Sequence, residues 1–168
     1  HTDPAEMVAL SDEFPIEWGV LFSPKRQGAG RYPKLSTIEW LVDELPLTFS
    51  AHLCGGDARA VIEDGRSMHD DLIHRYFTRV QINTADPKVQ PSLIASWADA
   101  RAVRAILQCR GAYFPNANGV DVLFDQSGGR GESPVSWPAG PNWLVGYAGG
   151  LRPENVAAAV AAIGAKAS

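Results

Sequence analysis

The sequence predicts an α/β domain built from strand-then-helix units around a parallel sheet. Short apolar runs rich in β-branched and aromatic residues alternate with amphipathic stretches, the pattern of successive βαβ units. The first such run, Ile16–Ser23, is apolar on nearly every position, as a strand covered by helices should be. A chain of 168 residues forms one domain that can bury a real core.

Taken in order, Pro4–Glu13 reads as a helix opened by Asp3, a residue type that caps helix N-termini. The strand Ile16–Ser23 follows, then a loop, Pro24–Pro33, with glycine and proline breaks and three basic residues. Leu35–Leu45 is helical, with Ile38, Leu41, Val42 and Leu45 on one face and Ser36 as cap. Leu47–Cys54 is the second strand, ended by Gly55 and Gly56. Asp57–Asp64 and Ser67–Phe77 are short helices, Arg79–Thr84 is the third strand, and Gln90–Ala100 is a helix. Ala102–Cys109, Val120–Asp125 and Trp143–Ala148 are the remaining strands. The last helix runs from Pro153 to about Ala165, with proline in its first turn. The connections Cys109–Val120 and Gly128–Asn142 are rich in helix breakers, so these units are expected to have lost their helices.

Composition narrows the function. The chain is 45% hydrophobic and 20% charged with a net charge of −4, which argues against a nucleic-acid binder or a membrane-surface protein. It has neither an apolar run of membrane-spanning length nor a basic-then-apolar leader, and a cytoplasmic location is expected. His1 in place of Met predicts a trimmed N-terminus. Cys54 and Cys109 are expected as reduced thiols, not a bridge. No Cys/His metal spacing occurs, and no cofactor is implied. Eleven arginines stand against four lysines, a bias that suits forked contacts to carboxylate and phosphate.

Two motifs carry a resemblance. Val122-Leu123-Phe124-Asp125-Gln126-Ser127-Gly128-Gly129-Arg130-Gly131 is followed about twenty residues on by Tyr147-Ala148-Gly149-Gly150-Leu151-Arg152-Pro153-Glu154-Asn155-Val156. Together they resemble phosphoribosylanthranilate isomerase, a TIM barrel with an aspartate-ended strand before a GGTG-like loop, then AGGL and PENV. Val80-Gln81-Ile82-Asn83 is similar to its VQLHG strand, and Gly30-Arg31-Tyr32 to its S-x-R-Y loop. The resemblance implies a compact or incomplete TIM-type (β/α) barrel with parallel strands and several crossover helices shortened or missing. It aligns the strands here with the family's second to seventh, with no counterpart for its first or eighth. The chain is then a fragment of a longer barrel or a barrel closed differently, and a homodimer could cover its open sheet edges.

The resemblance also implies roles. Asp125, a carboxylate at the end of a parallel strand, matches the general acid; the competing reading is a carboxylate that caps its own loop. Arg31 matches the arginine that holds the substrate carboxylate, beside a plain basic loop as the alternative. Gly128, Gly129 and Gly131, with Gly149 and Gly150, could offer backbone N–H groups to a phosphate, or simply make tight turns. Cys54 in His52-Leu53-Cys54-Gly55 is similar to the family's K-x-C-G but lies on a later strand, so it is a displaced base or a structural thiol. His69, Asp70, Asp71 and His74 read as a solvated helix face. The implied chemistry is aldose–ketose (Amadori) isomerisation of a small phosphorylated sugar-type ligand, in tryptophan biosynthesis, with activity weak or lost. The alternative is a non-catalytic or differently catalytic phosphate-ligand-binding barrel.

Overall fold

The computed structural model describes residues 3–111, 114–115 and 118–164. Six strands form one all-parallel sheet in strictly sequential order: β1 (Glu17–Phe22), β2 (Thr48–Cys54), β3 (Arg79–Asn83), β4 (Arg104–Cys109), β5 (Val120–Phe124) and β6 (Val145–Tyr147). Six helices accompany them among the described residues: α1 (Pro4–Glu13), α2 (Leu35–Glu44), α3 (Gly56–Asp64), α4 (Asp70–Tyr76), α5 (Pro91–Asp99) and α6 (Val156–Ile163). A sequential order with right-handed crossovers puts every connection on the same side of the sheet. The barrel expectation is met only in its coarser form. β1 and β6 each pair on one side only, so backbone hydrogen bonds do not close the sheet among the described residues.

Strand register sorts the two faces. One carries Val20, Phe22, Phe49, Ala51, Leu53, Val80, Ile82, Ala105, Leu107, Val120, Val122 and Phe124, all buried. Ile38, Ala58, Val61, Ile73, Ile94 and Trp97 of the helices join most of them in one core. The opposite face, termed inward, mixes polar residues with Leu21, Ile106 and Leu123. It bears Glu17, Ser50, His52 and Cys54, then Arg79, Gln81 and Asn83, then Arg104 and Gln108, then Asp121 and Asp125. Glu17–Arg79 and Arg104–Asp121 ion pairs lie at its N-terminal end. The side of β1 on this face carries Gly19 and Leu21, and Glu17 is its one polar residue.

The two helix-poor connections are compensated by rings. Phe114, Trp137 and Tyr147 pack within about 6 Å of Phe124, edge-on or tilted, and Trp143 stacks edge-on against Phe114. Large aromatic surfaces cover the outer side of β5 and β6 where a crossover helix would lie. Elsewhere the helices are tied by polar contacts. Asp70 accepts from Ser67 N, Trp97 Nε1 and Arg101, linking α4 to the end of α5. Burial alone would raise the Asp70 carboxyl, but these donors and the Arg101 charge outweigh it and hold it below the usual range. The His69–His74 stretch is thus a buttress as well as a solvated face.

Boundaries shift by a residue or two, with physical reasons. α1 starts as expected, with Ala5 N donating to the Asp3 carboxylate at 2.9 Å. α2 is preceded by Lys34 and not capped by Ser36, which lies inside the helix. Pro153 stands in the turn before α6, because Asn155 takes the Arg152 N–H and delays the helix to Val156. No helix among the described residues is long and apolar enough to cross a membrane.

Candidate functional site at the strand C-termini

Asp125 follows the last residue of β5 and is 6% exposed. Its Oδ1 accepts from Ser127 Oγ at 2.7 Å, and its Oδ2 from Gly129 N at 2.7 Å and Gln108 Nε2 at 2.9 Å. Gly128 N donates to the Asp125 carbonyl, and the N–H groups of Arg130 and Gly131 turn to Ser127 Oγ. A carboxylate and a hydroxyl therefore organise this loop from within. The place foreseen for an anion among the Gly128, Gly129 and Gly131 amides is filled by the chain itself, because Asp125 and Ser127 satisfy those donors first.

Arginines, not amides, face outward here. Arg31, in the loop after β1, donates Nη1–H to the Gly129 carbonyl at 2.9 Å. Strands four spacings apart lie roughly 19 Å apart in a flat sheet, so this contact brings together distant strand ends. Arg110, just beyond β4, lays its guanidinium against Gly128, where a Cβ would come within 2.6 Å of it. Gly128 and Gly129 adopt positive φ of 61° and 84°, so both the conformation and the close approach demand glycine. Neither guanidinium has a carboxylate partner among the described residues.

The β6 loop lies next to this turn. Gly149 approaches Asp125, with 3.4 Å between its Cβ position and Oδ1. Gly150 backs onto Ser133, and its carbonyl accepts from Ser133 Oγ at 3.3 Å and Asn155 Nδ2 at 2.9 Å. Arg31, Asp125, Gly128, Gly129, Gly131, Gly149 and Gly150 thus belong to one end of the molecule. A cavity of about 1330 Å³ lies elsewhere, along the free edge of β1 between α1 and α2; of these residues only Arg31 lines it.

Cys54 ends β2 on the inward face, with β3 and β4 between it and Asp125. Its Sγ accepts from Asn83 Nδ2 at 3.0 Å, and Asn83 Oδ1 in turn accepts from Gln81 Nε2. Cys109 faces the opposite side, and burial pushes its thiol up to about 11. Both thiols are free. His52 also points inward; burial is the main cause that lowers its pKa, Glu17 opposes this and Arg79 adds to it. Among the described residues no group of three metal-ligating side chains forms.

Gln108, Asn83, Ser127 and Arg110 were not singled out from the sequence. Gln108 had a readable signal, since a polar residue inside the apolar run Ala105–Cys109 marks a buried group that needs partners. Arg110 had none, because only the folded sheet brings it to Gly128.

The arrangement defines an α/β protein with an arginine-flanked, carboxylate-organised turn at the open ends of parallel strands. Compared with known proteins, the chain matches no family model, no curated protein and no solved structure.

Proposed function

We propose that the protein binds a small anionic ligand of the phosphorylated-sugar type at the C-terminal ends of its strands. The observation that supports this reading best is the pair of guanidinium groups, Arg31 and Arg110, flanking the Gly128–Gly129 turn without a carboxylate partner among the described residues. Guanidinium forks suit phosphate and carboxylate oxygens. Strand C-termini of parallel sheets are where such ligands sit. In this reading the sheet is an incomplete TIM-type arc whose anion locus is built by side chains.

Inorganic phosphate should therefore raise the melting temperature. Phosphate at about ten times its dissociation constant stabilises by about 1.4 kcal/mol, about 3–6 °C for a domain of this size. The double variant Arg31→Ala/Arg110→Ala should lose the shift while staying folded, as both side chains are exposed. A shift retained in the variant would move the anion elsewhere.

Sugar-phosphate isomerisation is the second reading, and it is favoured by Asp125 and Cys54 ending strands on the same inward face. Opening a ribose by acid–base chemistry needs an acid and a base on opposite sides of the sugar. Asp125, however, spends three acceptor positions on Gln108, Ser127 and Gly129. Turnover of phosphoribosylanthranilate is expected to be absent or very low. A turnover of about one per second or more, abolished by Asp125→Ala, would establish the isomerase reading.

A further inference from the structure

Gln108 is 4% exposed, and its Oε1 is buried without a hydrogen-bond partner among the described residues. The amide cannot simply be turned over. Its Nε2 donates to Asp125 Oδ2, and a reversed amide would set carbonyl oxygen against carboxylate oxygen. Oε1 is thereby directed away from Asp125 and in need of a donor. No neighbouring donor reaches it among the described residues: on the adjacent strand and the same face, Asn83 Nδ2 is turned to Cys54 Sγ and Gln81 Nε2 to Asn83 Oδ1. An unpaired buried carbonyl costs stability that an incoming donor recovers.

We propose that Gln108 Oε1 accepts a hydrogen bond from a hydroxyl group of the bound ligand, in a subsite on the inward face between β4 and the half-buried Asn83 and Cys54 of β3 and β2. On that side Asn83 and Cys54 are only partly covered, while Oε1 itself is shut off from solvent, so a ligand hydroxyl reaches it by displacing the side chains around it. The subsite is joined to the anion locus through Asp125, whose Oδ2 takes both Gln108 Nε2 and Gly129 N, while Arg31 holds the Gly129 carbonyl. The ligand class follows: an anionic group at Arg31 and Arg110, and a hydroxyl group reaching Gln108, as in a sugar phosphate. The anionic half rests on the binding reading above; the hydroxyl half does not.

The test uses three probes in calorimetric titration of the full chain: inorganic phosphate, neutral D-ribose and ribose 5-phosphate. Ribose 5-phosphate is expected to bind about tenfold tighter than phosphate, the scale of one well-made hydrogen bond. Gln108→Leu should collapse that ratio to near one, whatever the loss of its Nε2 donor to Asp125 does to phosphate affinity itself. Equal affinities in the unsubstituted protein, which need no variant to fold, would overturn the proposal. So would a ratio that Gln108→Leu leaves unchanged, as when a buried water alone satisfies Oε1. Ribose that binds the unsubstituted protein and not Gln108→Leu, with no phosphate binding, would support the hydroxyl subsite and refute the anion locus. No binding of any probe would overturn both.

Discussion

Gly19 has no side chain because His52 occupies its place. A Cβ there would lie 2.6 Å from His52 Cε1, and the ring also meets Ser50 Oγ at 3.3 Å. Burial keeps this imidazole neutral below the usual histidine range, with Glu17 and Arg79 acting in opposite directions. The unfolded chain takes up a proton near pH 6.5, whereas the folded one does so only at lower pH. Stability is thus fully present above the ordinary histidine pKa and falls as the pH drops toward the folded value. Urea midpoints measured across this window should decline on acidification, and His52→Gln should flatten the decline. The thiols provide a second residue-scale prediction. Both thiols are half-buried, but burial pushes the Cys109 thiol up to about 11, so Cys109 should be labelled more slowly than Cys54 by a thiol reagent at neutral pH, and both should label in denaturant. Equal native labelling rates would contradict the raised Cys109 thiol. At this scale Asp125 was legible, because a carboxylate next to Ser-Gly-Gly at a strand end is a local pattern. The partners that decide its behaviour, Gln108 and Gly149, come from other strands, so their meeting with Asp125 was not legible although each residue stood out in its own segment.

Among the elements, the β5–β6 connection is the most constrained. Gly150 has φ of +61° and no room for a methyl, which would press on Ser133 N. The left-handed conformation alone costs a side chain roughly 1–2 kcal/mol, and displacing Ser133 adds to it. Gly150→Ala should lower stability by about 2 kcal/mol, read as a drop in the denaturant midpoint at constant m. A loss under about 0.5 kcal/mol would mean that the Glu132–Ser133 segment is not packed there. Strands and helices were legible as periodic runs, and the absence of helices in the last two connections followed from their glycines and prolines. What replaces those helices was not legible. Phe114, Trp137 and Trp143 sit in segments without periodicity, and only the fold gathers them on Phe124 and Tyr147. Trp137→Ala is therefore expected to cost about 3 kcal/mol, more than its irregular setting suggests, and thermal unfolding measures it.

For the whole molecule, the parallel sheet was legible and the unpaired outer sides of β1 and β6 were not, because edge pairing depends on curvature that no segment encodes alone. Sequential strand order has a consequence for how the domain comes apart and together. Every strand pairs only with the units before and after it in the chain, so cooperativity passes along the sheet as it does along a stack of repeats. Such an array can grow by accretion of successive units. Arg31 to Gly129, 98 residues apart, is a tie that skips this ladder. Removing it by Arg31→Ala should leave the early units as protected against hydrogen exchange as before, while amides of β5 and β6 exchange faster. This guanidinium would then serve as the clasp of a zipper, coupling the C-terminal units to the N-terminal ones.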